Sequence, residues 1–347
     1  MSVTTRSVIA RSTTTPSMTT RRQVLAGMAA AGAALGLGAS PLRAAPRKLR
    51  LGHPHPESDN WHKVSLRFAE MVRERSGGEL EIQVFANGVL GSDPTMINAV
   101  RGGSLDIALT GNPFFTGLAP KLNVLDLPFL FNDRKHVAAV LDGEIGDEMR
   151  AELGQSGLVA LSTWEVGWRN LTNSRRPVRT PADLAGLKIR TTPNPAHVKA
   201  FQLLGAVPTP MAFTELFTAL EMRSVDGQEN PVTLILNAKF YEVQKHVSLT
   251  RHAFTTAPLI TNKASFEAMD EKNREILSLA ARECAVLLRT ANEETEATAL
   301  AALKQEGMEA VEDPDRAAFA AIVMEPVRKD YVEKFGSALL DRIVAAA

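Results

Sequence analysis

Strand-like and helix-like segments alternate through the N-terminal half of this chain. Residues 48–51 and 81–85 alternate apolar and polar side chains, as half-buried strands do, and residues 105–109 form a short apolar run. Between these segments, apolar residues recur at helical spacing over residues 61–72 and 96–100. This β-α-β-α-β order favours a mostly parallel sheet and therefore predicts an α/β fold.

The same alternation returns in the second half of the sequence. The pattern predicts strands at residues 158–161, 187–190 and 224–227, and helices at about residues 195–204 and 214–222. A chain of 347 residues exceeds the size at which one hydrophobic core normally stops growing. The sequence therefore predicts two α/β lobes rather than one oversized core.

A long helical pattern without glycine or proline runs over residues 270–305. Asp270 is a suitable N-cap for it. If the helix is unbroken, it is roughly 50 Å long at about 1.5 Å per residue, which is long enough to brace both lobes. Two shorter helices that meet near residues 292–294 fit the pattern equally well.

The N-terminus has the features of an export signal. A twin-arginine segment at residues 20–25 (TRRQVL) leads into a run of Ala, Gly and Leu that ends near residue 39. A membrane anchor is the alternative, but a spanning helix needs roughly 20 strongly apolar residues. We therefore predict a signal peptide over residues 1–44, cleavage after Ala44, and a mature protein in the periplasm.

The charge distribution points to a small partner. Residues 1–44 hold five arginines and no acids, which leaves 34 basic against 39 acidic residues in the rest of the chain. The basic residues are scattered, so nothing resembles a nucleic-acid surface and a bound anion is expected in a pocket. The one cysteine, Cys284, excludes an internal disulfide and lies in an apolar helical pattern, where a nucleophile is not expected.

Two arginines, Arg169 and Arg190, lie beside strand-like apolar runs. A guanidinium is charged at any physiological pH and presents a planar fork of donors that matches the two oxygens of a carboxylate. The pair therefore predicts a carboxylate site. The alternative is that both side chains lie on solvated strand edges.

Enzyme and metal functions find little support in the sequence. No Gly-x-Ser-x-Gly, His-Glu-x-x-His or Gly-x-x-x-x-Gly-Lys-Ser/Thr motif occurs. Residues 53–62 (HPHPESDNWH) contain imidazoles and carboxylates that suit a metal, but a loop with unpaired histidines is the commoner explanation. We predict that the protein is not an enzyme and uses no metal or cofactor, with a secreted enzyme acting on an organic acid as the alternative.

Several motifs, taken in order, resemble the solute-binding proteins of tripartite ATP-independent periplasmic (TRAP) transporters, the dicarboxylate-type family. The likeness covers the whole mature chain. The matching stretches are residues 88–92 (GVLGS), 127–131 (LPFLF), 169–177 (RNLTNSRRP), 183–190 (DLAGLKIR), 225–231 (VDGQENP) and 241–246 (YEVQKH).

The resemblance implies a bilobed periplasmic-binding-protein fold, in which two α/β lobes are joined by hinge strands and a long bracing helix. The lobes are expected at residues 45–166 with 256–292, and at residues 167–255 with 293–347. The implied function is a receptor that closes around an organic acid and delivers it to integral membrane subunits. A receptor of an ATP-driven importer or a sensor is the alternative, and a monomer is expected, with a dimer also open.

The resemblance also implies the ligand-binding residues. Arg190 corresponds to the arginine that pairs bidentately with the ligand carboxylate, and Arg169 to a second basic contact. Asn230 corresponds to an amide contact and Phe213 to an aromatic wall. Loop residues of the other lobe that occupy contact positions are His53 and Asn112. The distal half of the pocket decides between sugar acids, C4-dicarboxylates, 2-oxo acids and aromatic acids, and the sequence leaves this choice open.

For two residues near these motifs, the side chain either faces the pocket or points elsewhere. Asp93 stands where a Glu is commoner in the family and either faces a ligand hydroxyl or caps the helix that begins at Pro94, and we expect it to cap the helix. Trp168 precedes Arg169, so strand alternation predicts that it points away from the pocket.

Overall fold

The structure of the protein is a computed structural model that describes residues 45–347. The predicted signal peptide, residues 1–44, lies outside the described residues, and its assignment stays a prediction. Nine strands form one sheet within the described part: β1 (Arg47–Gly52), β2 (Leu80–Phe85), β3 (Ile107–Leu109), β4 (Leu158–Asn173), β5 (Lys188–Thr191), β6 (Val207–Pro210), β7 (Gly227–Asn230), β8 (His246–Asn262) and β9 (Glu309–Val311).

Helices cover the sheet and fill the connections between its strands. In residues 45–347 they are α1 (Asn60–Arg75), α2 (Asp93–Arg101), α3 (Arg134–Leu141), α4 (Glu144–Glu152), α5 (Pro195–Leu203), α6 (Leu216–Glu221), α7 (Val232–Asn237), α8 (Lys263–Glu267), α9 (Glu271–Gln305), α10 (Arg316–Phe335) and α11 (Ala338–Ala345). The 3₁₀ turns are Asn112–Phe115, Pro120–Asp126, Leu153–Ser156, Pro181–Leu184, Phe213–Glu215 and Phe240–Glu242.

Two long antiparallel strands, β4 and β8, form the centre of the sheet. On one side β8 pairs with β3, and the parallel strands β1 and β2 extend the sheet. On the other side β4 pairs with β7, and the parallel strands β5 and β6 follow. We call these the β1–β3 half and the β5–β7 half. The α/β fold predicted from the sequence is confirmed, with β4 and β8 shared by both halves.

The long helix α9 is continuous. It has 35 residues, and the side chain of its N-cap, Asp270, accepts a hydrogen bond from the backbone N–H of Asn273 at 2.9 Å. The alternative of two helices meeting near residues 292–294 is therefore wrong. Its first part packs into the core of the β1–β3 half through Leu277 and Cys284, and its last turns pack through Leu303 into a separate core beside α6 and α7.

One predicted strand is displaced in the structure. The sequence predicts a strand at residues 224–227, but β7 begins at Gly227 and continues through three polar residues that are all buried. A side chain at Gly227 would place its Cβ 2.2 Å from the carbonyl oxygen of Thr172 on β4. Hydrophobic periodicity did not indicate this strand because its buried side chains are held by polar contacts.

Candidate functional site

Irregularities in β4 bring Arg169 into the interior. The register of β4 against β8 shifts between Glu165 and Gly167 and again between Arg169 and Leu171. Gly167 has φ +121°, a conformation that L side chains rarely adopt, as is usual where a bulge bends a strand. Arg169 is only 2% exposed. The bulged segment therefore places a guanidinium inside the protein.

Trp168 lies on the opposite face of β4, as strand alternation predicts. Its ring packs edge-on against Phe254, with 5.1 Å between ring centroids, and the guanidinium of Arg251 lies 5.5 Å from the ring centroid. Trp168 and Arg251 line a separate surface groove of about 710 Å³ that does not contain Arg169. The prediction that Trp168 points away from the pocket is confirmed.

Arg169 is paired with a buried carboxylate from the neighbouring strand. Its Nε and Nη2 donate to the two carboxylate oxygens of Glu229, and Nη2 also donates to Oδ1 of Asn230 at 3.1 Å. Burial by itself would raise the pKa of Glu229, but the charge of Arg169 and hydrogen bonds from His252 and Arg169 hold that pKa well below its usual range. Arg169 and Glu229 therefore form a neutral, fully buried ion pair.

Arg190 has no such partner. It lies on β5, is 1% exposed, and donates from Nε and Nη2 to the backbone carbonyl of Met211 at 3.1 and 2.8 Å. Among residues 45–347, no carboxylate lies within salt-bridge distance of its guanidinium, and the N–H groups of Nη1 find no acceptor. Burial lowers the pKa of Arg190 to about 10, so the side chain remains protonated at neutral pH. It is a buried cation with an open donor edge.

A small cavity lies between the two halves of the sheet, with a volume of about 30 Å³. The β5–β7 half and the central strands contribute Arg169, Thr192, Phe213 and residues of β4 and β8. The other half contributes Pro54, His55, Trp61, Asp93, Gly111, Pro113 and Phe114. A space of about 10–15 Å³ holds one water, so this volume is too small for an organic acid.

Two of the predicted residues beside the arginines lie at this cavity or next to it. Phe213 lines it and packs against His55, with 5.3 Å between ring centroids. Asn230 is buried on β7, where Oδ1 accepts from Arg169 and Nδ2 donates to Oε1 of Gln228 at 2.6 Å. The structure therefore places Arg169 and Phe213 at the cavity and Asn230 beside Arg169, whereas Arg190 is buried on β5 and does not line the cavity.

The two loop residues predicted from the other half have different surroundings. His53 is fully buried, with Nε2 3.2 Å from Nδ1 of His62, and burial lowers the pKa of His53 to about 3. Asn112 donates from Nδ2 to the carboxylate of Asp126 and to the carbonyl of Leu122 at 2.6 and 2.9 Å. Neither side chain lines the cavity, and their assignment as ligand contacts stays a prediction.

Asp93 does not cap helix α2. The N-cap is Ser92, and Oδ1 of Asp93 instead accepts a hydrogen bond from the backbone N–H of Gly111 at 3.3 Å. The expectation of capping is therefore wrong, because the helix begins one residue earlier and turns this carboxylate toward the cavity. Burial raises the pKa of Asp93 to about 6, and its Oδ2 is buried with no partner among the described residues.

His55 is a cavity residue that sequence reasoning missed. Its ring stacks on Trp61 with 3.8 Å between centroids, and its Nδ1 lies 3.1 Å from Oδ1 of Asp59. The sequence indicated the segment HPHPESDNWH as a polar cluster and His53 as a ligand contact. In the structure His55 lines the cavity, whereas His53 is buried away from it. The sequence feature that could have indicated the direction of His55 is the pair Pro54 and Pro56, because these prolines impose an extended backbone with alternating side-chain directions.

Two further observations concern the described residues alone. Over residues 45–347, no group of three or more His, Cys, Asp or Glu side chains is arranged to hold a metal ion. No helix in the same part of the chain is both long and apolar enough to cross a membrane.

Two α/β halves that share central strands and enclose a cavity lined by a buried arginine are the arrangement of a solute-binding receptor. Comparison with known proteins gives the family: the sequence model of the bacterial extracellular solute-binding proteins, family 7 (DctP), matches residues 51–334. The chain belongs to this family, the solute-binding proteins of TRAP transporters.

Three relatives illustrate the similarity. The chain is 41% identical to the 2,3-diketo-L-gulonate-binding periplasmic protein YiaO of Escherichia coli (strain K12) over 289 residues. These residues are 83% of this chain and 88% of the relative. A TRAP periplasmic solute-binding protein from Bordetella, with density interpreted as pantoate, has a TM-score of 0.84 and 38% identity over 86% of this chain and 99% of its own. A TRAP periplasmic solute-binding protein from Polaromonas sp. JS666, bound to D-erythronate, has a TM-score of 0.84 and 35% identity. The match covers 86% of this chain and 98% of the Polaromonas protein.

Proteins of this family share a general function. Proteins of this family are solute-binding receptors rather than enzymes, they bind small organic acids, and they work with TRAP membrane subunits. The three relatives described above are periplasmic proteins.

Proposed function

We propose that this protein is a periplasmic receptor that captures an organic acid by closing its two lobes around the ligand carboxylate. It then delivers the ligand to TRAP membrane subunits. Residues 1–44 direct its export by the twin-arginine route and are removed. The relatives named above support a sugar acid or related hydroxy acid as the ligand, because their names specify 2,3-diketo-L-gulonate, pantoate and D-erythronate.

The buried, unpaired guanidinium of Arg190 carries this proposal. A buried charge without a counter-ion costs several kcal/mol, roughly, after relaxation of its surroundings. A ligand carboxylate supplies the missing charge and accepts from the open donor edge of Nη1 and Nη2. Arg169 does not need a ligand in this way, because Glu229 already neutralises it.

The size of the cavity supports a closing motion. A volume of about 30 Å³ does not admit a four- to six-carbon acid, so the ligand enters only when the two halves separate. The lobe boundaries proposed from the sequence, at residues 166/167 and 255/256, fall where Gly167 pairs with Thr255 beside a register shift between β4 and β8. We assign the hinge to this point of the central strands.

A ligand screen tests the function. Thermal unfolding of the mature protein is followed with sugar acids, C4-dicarboxylates, 2-oxo acids and aromatic acids, and hits are measured by calorimetry. We expect at least one acid to raise the melting temperature and bind with a micromolar or lower Kd, because a ligand that binds only the folded state stabilises it. No stabilisation by any acid, or steady chemical turnover of one, would contradict the proposal.

A further inference from the structure

One buried side chain joins the two halves of the molecule outside the cavity. Asn194 is fully buried at the N-cap of α5 and does not line the cavity. Its Oδ1 accepts from the backbone N–H of Ala196 at 2.8 Å and so caps the helix. Its Nδ2 donates to Oδ2 of Asp126 at 3.0 Å and to Oδ1 of Asn123 at 3.2 Å. This amide therefore connects its own helix to a second segment of the chain.

The acceptors of Asn194 belong to the β1–β3 half. Both lie in the 3₁₀ turn Pro120–Asp126, which follows β3 along the chain. The turn is bound to the same half, because Nζ of Lys121 donates to Oε1 of Glu152, at the end of α4, at 2.7 Å. Helix α5, in contrast, connects the paired strands β5 and β6. The two hydrogen bonds donated by Asn194 therefore run from one half to the other.

These two bonds exist only when the halves are together. The ligand enters when the halves separate, and separation moves Nδ2 of Asn194 away from both acceptors. Asp126 is fully buried, and its Oδ2 also accepts from Nδ2 of Asn112 at 2.6 Å. Hydrogen bonds to a carboxylate are stronger than those between neutral groups. The bonds donated by Asn194 therefore stabilise the closed form relative to the open form.

A bond of this kind acts on the ligand from a distance. We propose that Asn194 is a positioning residue that sets the affinity of the receptor without touching the ligand, by fastening α5 to the turn Pro120–Asp126 in the closed form. A ligand inside the closed form leaves only after the halves separate, so this contact slows release. It does not slow entry, because the open form lacks it. This inference rests on the proposed function.

Two substitutions separate the contact between the halves from the helix cap. Serine and aspartate are both good N-caps, so Asn194→Ser and Asn194→Asp keep an acceptor for the N–H of Ala196 and remove the two Nδ2 donors. Aspartate also places a second carboxylate against Asp126, and like charges in a buried contact repel strongly. Burial raises the pKa of Asp126 to about 7, so binding is measured at pH 8, where this carboxylate is ionised.

Asn262 provides the matched control. Its Oδ1 caps α8 by accepting from the backbone N–H of Ser265 at 2.9 Å, and its Nδ2 donates to the carbonyls of Val100 and Arg101, both at 3.0 Å. This end of β8 pairs with β3, so all of these groups lie in the β1–β3 half. Asn262→Ser therefore removes similar hydrogen bonds that do not connect the halves.

Calorimetry and stopped-flow release measure the effect. The probe is whichever of D-erythronate, pantoate and 2,3-diketo-L-gulonate binds the wild type most tightly. We expect Asn194→Ser to raise Kd about tenfold and Asn194→Asp to raise it about 100-fold, through faster release, with the association rate constant within about threefold of wild type. Asn262→Ser should lower the melting temperature and leave Kd and the release rate unchanged.

The outcomes distinguish this inference from the receptor function. A purely structural role predicts that Asn194→Ser behaves like Asn262→Ser, with a lower melting temperature and an unchanged release rate, and this result would overturn the inference while the receptor function stands. Slower association that accounts for the whole loss of affinity would also overturn it. Asn194→Ser keeps the test decisive if aspartate hinders folding. Binding of none of the three acids by the wild type would overturn the inference together with our proposed ligand class.

Discussion

Arg169 and Arg190 carry the same charge in the same buried region, but different groups surround them. Arg169 has Glu229 as a counter-ion, and removing either member of such a buried pair leaves an uncompensated charge. Arg190 has only the carbonyl of Met211, so its removal takes away a charge that the unliganded protein does not neutralise. The two arginines therefore contribute to different properties, Arg169 mainly to stability and Arg190 mainly to binding.

This difference gives a prediction for the arginine variants. Arg190→Ala should weaken ligand binding by about 100-fold or more without lowering the melting temperature of the unliganded protein, because about two charged hydrogen bonds are lost. Arg169→Ala should lower the melting temperature more and affect binding less. Arg190→Lys should also bind poorly, because a point charge does not fill both donor positions.

Calorimetry and thermal unfolding measure these two effects separately. Arg175→Ala is the matched control, because this arginine is largely exposed and pairs only loosely with Asp226. Unimpaired binding by Arg190→Ala would show that the carboxylate is held elsewhere.

Glu229 gives a prediction about pH. Its pKa is lowered in the folded protein, so the unfolded chain binds more protons at acid pH, and the stability that Glu229 contributes is present above about pH 4.5 and lost as the pH falls below it. Glu229→Gln leaves Arg169 without a counter-ion and should cost about 3–5 kcal/mol of unfolding free energy at pH 7.

Urea unfolding at pH 7 and at pH 3.5 checks this prediction. The difference between wild type and Glu229→Gln should shrink at the lower pH. Glu242→Gln, which removes an exposed carboxylate, is the control and should change stability by less than about 0.5 kcal/mol at either pH. A difference that stays constant with pH would contradict the assignment of Glu229 as an ionised partner.

At the scale of elements, α9 is held to the central strand by a buried amide. Asn292 is 6% exposed in the middle of the helix and donates from Nδ2 to Oε1 of Glu165 on β4 at 2.9 Å. Its Oδ1 accepts from Nδ2 of Asn60 on α1 at 3.0 Å. One side chain therefore joins the long helix to two other elements of the fold.

Replacing Asn292 should weaken this connection. Asn292→Ala removes two buried hydrogen bonds and should lower the unfolding free energy by about 1–3 kcal/mol, although the higher helix propensity of Ala offsets a few tenths of a kcal/mol. Glu294→Ala, at an exposed position of the same helix, is the control and should stay within about 0.5 kcal/mol of wild type. Chemical denaturation measures both variants, and equal stabilities would show that the amide does not hold the helix in place.

An element could be predicted from the sequence when apolar packing stabilises it, and could not when polar contacts between distant residues do. The helices α1, α2, α5, α6 and α9 and the strands β1–β3 were predicted because their buried faces are apolar, and apolar periodicity is visible in a sequence. β7 was displaced in the prediction because its buried residues, such as Gln228 and Glu229, are polar and are held by partners distant in the sequence. The continuity of α9 was open because its middle contains polar residues, and Asn292 is buried there only through contacts with β4 and α1.

At the scale of the whole molecule, the family motifs identified the fold and the arginines but not the complete wall of the site. Arg169, Asn230 and Phe213 lie together as the resemblance implied, whereas His55 and Asp93 face the cavity and His53 and Asn112 do not line it. The reason is that side-chain direction in the loop at residues 53–59 and at the start of α2 depends on tertiary contacts. Sequence patterns fix strand faces, but they do not fix such loops.

A crystal structure of the protein with its acid ligand tests the central claim most directly. We predict that both oxygens of one ligand carboxylate lie within about 3.2 Å of guanidinium nitrogens of Arg190, with the two halves closed around the ligand and Arg169 still paired with Glu229. A ligand carboxylate held by other groups, with Arg190 directed into solvent, would contradict the account.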